Sequence, residues 1–314
     1  MSVDLKNIRI GTRGSALALT QATWVKDQIE AGLPGSRATL IKITTKGDKI
    51  LDVPLANVGG KGLFVKEIED ALVRKEIDLA VHSMKDVPTD LPSELDIGIV
   101  TLREDPRDVF ISGDGRKLGD LPSGARIGTS SLRRKAQLLA FRKDLEVVSI
   151  RGNLDTRLRK VTTESLAGVI VAAAGLNRMS LEARITEFLP VEIMLPAIGQ
   201  GALGMEVRRD DGEFLESIFF LNHSETALAL RAERAYLKRL EGGCQVPVGA
   251  YAKVDGKELI LHGIVADPDG TLLFRKMAAG SVSEAEKLGI SLAEEILDMG
   301  AREVLEKVYQ RALG

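Results

Sequence analysis

The chain has 314 residues, room for two or three domains of ordinary size. Hydrophobic residues make up 44% and charged residues 28%, the composition of a packed globular protein and not of a disordered chain. The formal net charge is −2 and aromatics are only 4%, which argues against nucleic-acid binding while leaving room for a local basic cleft. From the N-terminus, short β-branched runs alternate with amphipathic segments. Residues 8–10 read as a strand. Residues 17–31 read as a helix, with Leu17, Trp24, Val25 and Gln28 at helical intervals. Residues 40–43 read as a strand, 63–74 as a helix and 77–81 as a buried strand. This order predicts a mostly parallel sheet with helices on both faces.

The polar segment 104–108, Glu-Asp-Pro-Arg-Asp, reads as a hinge. Beyond it the same grammar repeats. Strands are expected at 109–111, 125–128, 147–150 and 169–171, with helices at 131–142 and 153–164. Arg9-Ile10-Gly11-Thr12-Arg13-Gly14-Ser15 is echoed by Arg126-Ile127-Gly128-Thr129-Ser130-Ser131-Leu132. Each copy is a strand ending in Gly-Thr, followed by hydroxyl residues able to cap a helix. Two lobes of this kind would each offer a helix N-terminus to an anion. The last third changes character. A helix over 226–240 precedes strands at 246–252, 258–265 and 272–277 around the turn Asp267-Pro268-Asp269-Gly270. Helix follows over 283–311 with a break near Gly300, giving a small α+β domain.

Several residues have the chemistry of a site. His82-Ser83-Met84-Lys85-Asp86-Val87-Pro88 follows the strand Leu79-Ala80-Val81, and ligands of open α/β sheets bind at the C-terminal ends of strands. A carboxylate beside a lysine there can move protons or stabilise a cation, or it can be an ordinary surface pair. His82 with Asp86 lacks a third metal ligand, and with three histidines and one cysteine in the chain no metal centre is expected. Arg13, Arg133, Arg134, Arg151, Arg157 and Arg178 fall at strand ends or helix starts and together suit a polyanionic ligand. Val58-Gly59-Gly60-Lys61-Gly62-Leu63-Phe64 lacks the Gly-Lys-Ser/Thr ending of a phosphate loop and reads better as a flap. Cys244 lies in the loop Glu241-Gly242-Gly243-Cys244-Gln245. It is either an inert hydrophobe or a nucleophile or attachment point. One cysteine forms no internal disulfide, and the polar N-terminus and absence of a long apolar run lead to a cytoplasmic expectation.

These segments, with Arg151-Gly152-Asn153, Pro196-Ala197-Ile198-Gly199-Gln200-Gly201-Ala202 and Leu240-Glu241-Gly242-Gly243-Cys244, closely resemble the porphobilinogen deaminase (hydroxymethylbilane synthase) family over nearly the whole chain. The resemblance implies an α/β fold of two periplasmic-binding-protein-like lobes with mostly parallel sheets, plus a small α+β C-terminal domain. It implies lobe 1 at 1–103 plus about 195–220, lobe 2 at 104–194 and the third domain at 221–314. It further implies stepwise condensation of four porphobilinogen molecules to a linear tetrapyrrole with loss of ammonia, primed by a covalent dipyrromethane cofactor on Cys244. By motif position, Asp86 and Lys85 are the expected catalytic residues. The cofactor is expected to meet Lys61, Ser83, Lys85, Asp86, Thr129, Ser130, Ser131, Arg133, Arg134 and Gly152. Substrate is expected to meet Arg13, Ser15, Gln21, Phe64, Arg151, Arg157, Arg178 and Gln200. No nucleic acid, membrane or metal is expected, and the chain is expected to act as a monomer. The alternative is a non-catalytic two-lobed anion-binding protein, which explains the arginines but needs neither Cys244 nor Asp86. A nucleotide-dependent transferase is weakened by the missing phosphate-loop ending.

Overall fold

The computed structural model describes residues 3–49, 62–241 and 246–313. In chain order the elements begin β1 (Ile8–Thr12), α1 (Ala16–Gly32), β2 (Ala38–Lys42), α2 (Lys46–Lys49), α3 (Lys66–Val73), β3 (Leu79–Ser83) and β4 (Leu95–Val100). They continue with β5 (Asp108–Ser112), β6 (Arg126–Gly128), α4 (Leu132–Phe141), β7 (Glu146–Val148), α5 (Leu154–Thr163), β8 (Gly168–Ala172), α6 (Ala173–Arg178) and β9 (Glu187–Phe188). Then come β10 (Leu203–Arg208), α7 (Gly212–Ser217), α8 (Ser224–Arg239), β11 (Val248–Asp255), β12 (Glu258–Ala266), β13 (Leu273–Ser281), α9 (Ala285–Ile296) and α10 (Arg302–Leu313). Gly300, at φ 111°, makes the expected break between the last two helices, in a conformation that costs glycine little.

The described chain divides into two compact units, residues 3–49, 62–104 and 202–227 in one and 105–201, 228–241 and 246–313 in the other. The first unit holds a five-stranded sheet of order β2-β1-β3-β10-β4. Leu79 and Val81 of β3 pack with Ile8, Ile10 and Val25, while Ala80, on the opposite face, packs with Ile68 and Leu72 of α3. The second unit repeats this layout as β7-β6-β8-β5-β9. Each sheet combines parallel pairs, as the sequence predicts, with antiparallel ones. β1 runs parallel to β2 and β3, but β10 runs antiparallel to β3 and β4. The Met84 amide donates to Ala202 O, so β10 starts where β3 ends and must run the other way. In the second sheet β5 is antiparallel to β8 for the same reason, Asp108 lying opposite Ala172.

The echoed motif occupies the same place in each sheet. β1 and β6 both lie second in strand order, and both are followed by a helix capped by serine. Ser15 accepts from the Ala18 amide at 3.3 Å and Ser131 from the Arg134 amide at 3.4 Å. Packing demands the glycine of each motif. A Cβ at Gly11 would lie 2.3 Å from Ile77 Cδ1, and at Gly128 2.9 Å from Ile150 Cδ1.

The third sheet, β11-β12-β13, has its own core, in which Tyr236 of α8 and Leu292 and Ile296 of α9 meet Leu259 and Leu261. It groups with the second five-stranded sheet. α4 lies against β12 and β13, and the Arg275 guanidinium donates to Glu192 O at 2.5 Å. Those contacts join the third sheet to the second compact unit.

Glu69, half-buried on α3, has its carboxyl pushed up to about 7, by burial first and then by the charge of Glu206. The folded state holds this proton more tightly than the unfolded chain. The resulting stability is complete below the ordinary carboxylate pKa of 4.5 and is lost as pH rises through about 7. Thermal unfolding of Glu69→Gln against the unsubstituted chain is expected to show an advantage for the variant that grows from about pH 5 to about pH 8. Identical pH dependence in the two proteins would contradict the assignment.

Candidate active site

In the first unit the polar residues gather at the C-terminal end of β3. Side chains there alternate between sheet faces. Ser83 turns toward α1, where its hydroxyl meets Gln21 Nε2 at 3.1 Å. His82 turns toward α3, and its Nε2 lies 2.9 Å from Glu206 Oε2. Met84 opens a single helical turn, Met84–Asp86, and Val87 N donates back to Met84 O at 3.3 Å. Lys85 and Asp86 stand half-buried on that turn. No described residue donates to the Asp86 carboxylate, which leaves its lone pairs for a ligand. His82 is engaged by Glu206 and not by Asp86, and no group of three potential metal ligands occurs among the described residues.

Arg13, after β1, reaches Asp48 on α2 with Nη2 at 2.5 Å, and its guanidinium lies 4.2 Å from the Phe64 ring centroid. Burial pulls the Asp48 carboxyl up, but Arg13 and the Thr45 hydroxyl at 2.8 Å more than offset it, and it sits below the usual range. Arg13, Ser15, Gln21, Phe64, Ser83, Lys85 and Asp86 therefore all belong to the first unit. Lys61 and Cys244 lie outside the described residues.

In the second unit the cations converge on one carboxylate. Asp108, the first residue of β5, is fully buried. Its Oδ2 accepts from Arg133 Nη1 at 2.7 Å, and its Oδ1 accepts from Arg134 Nη2 at 2.7 Å and from Gln200 Nε2 at 2.9 Å. Arg133 also donates to Leu195 O at 2.6 Å and Arg134 to Ile170 O at 3.0 Å. Burial alone would raise the Asp108 carboxyl, but Arg133 and Arg134 hold it well below the usual range. Burial in turn lowers the Arg133 guanidinium, with Asp108 opposing. The sequence points these two arginines and Gln200 at a ligand. In the structure they share a protein carboxylate as acceptor, in a segment the sequence reads as a hinge. Its one signal is an aspartate opening an otherwise apolar strand, Asp-Val-Phe-Ile.

Two buried guanidinium groups against one carboxylate leave an excess positive charge, and Arg134 Nε is buried with no hydrogen-bond partner among the described residues. The N-terminus of α4 adds its dipole, Thr129 Oγ1 accepts from the Ser131 amide at 3.2 Å, and the Ser130 hydroxyl donates to Ile150 O. Elsewhere in the unit, Arg157 Nε donates to Gly152 O at 2.9 Å and Arg178 Nη2 to Gly201 O at 2.5 Å, and Arg151 is half-buried. A donor set with unbalanced positive charge fits a ligand bearing carboxylates.

Fold and site define an α/β protein that presents one half-buried carboxylate at a strand end and a buried cationic cluster under a helix N-terminus. The family model described as the dipyrromethane cofactor binding domain of porphobilinogen deaminase matches residues 8–216, and the C-terminal domain of porphobilinogen deaminase matches residues 227–298. The porphobilinogen deaminase of Geobacter metallireducens is 60% identical over 306 residues, 98% of this chain and 96% of that one. That of Geobacter sulfurreducens is 58% identical over 307 residues, with the same coverage of 98% and 96%. Among solved structures, a TRAP periplasmic solute binding protein from Desulfovibrio salexigens aligns with a TM-score of 0.42 and 10% identity, covering 71% of this chain and 74% of that one.

The chain belongs to the porphobilinogen deaminase family. Its activity is that of a porphobilinogen deaminase, a transferase of porphyrin biosynthesis, and its cofactor is dipyrromethane. The non-catalytic binding alternative is thereby set aside. Among the described residues no helix is long and apolar enough to cross a membrane.

Asp108→Asn keeps the shape of the buried cluster and removes its only carboxylate. It is expected to destabilise the second unit by about 3–5 kcal/mol, because two guanidinium groups are left buried without a counter-charge. Denaturant unfolding checks this, and a loss under about 1 kcal/mol would show that the arginines need no anion there.

Proposed function

We propose that Asp86 is the carboxylate that serves each condensation of porphobilinogen. Loss of ammonia from the aminomethyl group breaks a C–N bond and leaves a cation delocalised over the pyrrole ring. An ionised carboxylate facing the pyrrole N–H groups stabilises that charge and accepts the proton released once the new C–C bond has formed. The observation that carries this reading is the placement of Asp86. It stands at the C-terminal end of a sheet strand, half-buried, with no described donor on its oxygens. Lys85, beside it, supplies a cation for a ligand carboxylate.

Each pyrrole carries an acetate and a propionate, so ligand and growing product are polyanions. The excess positive charge at Arg133 and Arg134, together with Thr129, Ser130 and Ser131 at the start of α4, supports a role in holding cofactor carboxylates. Arg13, Ser15, Gln21, Phe64, Arg151, Arg157, Arg178 and Gln200 are assigned to substrate in the same reading, and Ser83, Gly152 and Lys61 to cofactor. Gln200 acts at one remove, through Asp108. When bound, dipyrromethane supplies the nucleophilic pyrrole carbon from which the chain grows, and Cys244 is assigned as its thioether anchor. An anchoring cysteine must stay a free thiol until it is loaded, which favours a reducing, cytoplasmic setting. All residues invoked lie on one chain, so the reading needs only a monomer.

Asp86→Asn is nearly isosteric but neutral. It is expected to fold normally and to lose at least about 100-fold in turnover of porphobilinogen. Near-normal turnover would sink the role. Cys244→Ser is expected to fold and to show the intact mass of the bare chain, whereas the unsubstituted protein carries the added mass of two pyrrole units. A serine variant with the same stable adduct would refute the attachment site.

A further inference from the structure

The strand that delivers Asp86 carries a buried hydrogen-bonded pair that the chemistry does not itself use. In the antiparallel pairing of β3 with β10, Gly204 lies opposite His82 and Glu206 opposite Ala80. His82 and Glu206 are thus diagonal neighbours on the sheet face covered by α3. Their side chains are 4% and 1% exposed, with 2.9 Å between Nε2 and Oε2. A polar pair so deep returns little net stability, since desolvation offsets the attraction. A pair of apolar side chains would pack this face at least as well, so its presence there asks for another explanation.

The pair's location supplies one. His82 is the residue before Ser83, and Ser83 is held on the opposite face by Gln21 of α1. The next residue, Met84, is held by its amide to Ala202 O at 3.0 Å, and its side chain packs so closely on Gly204 that a Cβ there would lie 2.2 Å from the sulfur. The last strand residues are therefore gripped from both faces and from β10, and the turn bearing Lys85 and Asp86 leaves from that grip. Within it, Glu206 Oε1 has no hydrogen-bond partner among the described residues, so the imidazole is the one described side chain that holds this carboxylate.

We propose that His82 and Glu206 are positioning residues for Asp86, their hydrogen bond setting where β3 ends and hence where the Asp86 carboxylate stands. The inference rests on the reading of Asp86 as the catalytic carboxylate. Removing the imidazole leaves Glu206 buried alone and frees the end of the strand. A displacement of about 1 Å at a reacting group costs up to about 100-fold in rate without equal loss of binding.

The test uses cofactor-loaded protein, verified by intact mass, and steady-state turnover of porphobilinogen. His82→Leu is expected to lower kcat by about 10-fold to 100-fold while KM stays within about twofold. His82→Gln, which restores an N–H donor toward Glu206, is expected to recover kcat to within about threefold of the unsubstituted enzyme. Glu206→Leu, which removes the acceptor, is expected to follow His82→Leu and stands in for it if the variant at position 82 does not fold. Unchanged kcat in loaded, folded variants overturns the inference. So does a glutamine variant at position 82 no better than the leucine, or a loss confined to KM or to thermal stability. Asp86→Asn, measured alongside, separates the two readings. If it is inactive while the position-82 variants are normal, only the positioning role fails. If it is active, the catalytic reading fails and the positioning role falls with it.

Discussion

Asp108 is where charge balance in the second unit is decided. One carboxylate, fully buried, faces two guanidinium groups. It neutralises one of them in effect, and the remainder is a positive charge held in a low-dielectric setting where water cannot screen it. Such a charge calls for an anion, and the neighbouring helix start adds its dipole in the same sense. The protein carboxylate orients the arginines. Gln200, from the segment leading to β10, joins the same carboxylate and so ties that segment to the cluster.

The two five-stranded sheets share one strand order, yet they present different side chains at their strand ends. In each, the second strand ends in Gly-Thr and a serine caps the helix that follows. In the first sheet a single helical turn follows the third strand in order, β3, and bears a lysine and an aspartate. In the second it is the capped helix itself that carries the arginine pair. One architecture thus carries a lysine–aspartate turn in one copy and a buried arginine pair in the other. The shared order follows from the fold, whereas the difference between the copies follows from which side chains stand at the strand ends.

Both polar clusters are buried in ways that simple stability does not favour. The His82–Glu206 pair and the Asp108 cluster each combine ionisable groups with at least one buried atom lacking a described partner. Apolar replacements would avoid that cost. Both clusters border the turns or helix starts assigned to chemistry, where fixed geometry matters more than added stability.

Local order was legible from the chain alone. The spacing of apolar residues located α1, α3, α4, α5, β1, β3, β6 and β8 closely, and the serine caps and the break at Gly300 follow from short-range chemistry. Residue motifs likewise sufficed for the family. β10 leaves no alternating pattern, because a charged Glu206 in the middle of Leu-Gly-Met-Glu-Val-Arg hides a strand that is buried throughout. The antiparallel half of the first sheet is hidden with it. Pairings between distant residues leave no periodic trace. His82 and Glu206 are 124 positions apart, and Asp108 and Gln200 are 92 apart. The sequence by itself determined the elements, their caps and the family, since each is written in neighbouring residues. Only the tertiary structure decided strand direction, the acceptor that the buried arginines share and the partner of His82, since these depend on which segments the packed core brings together.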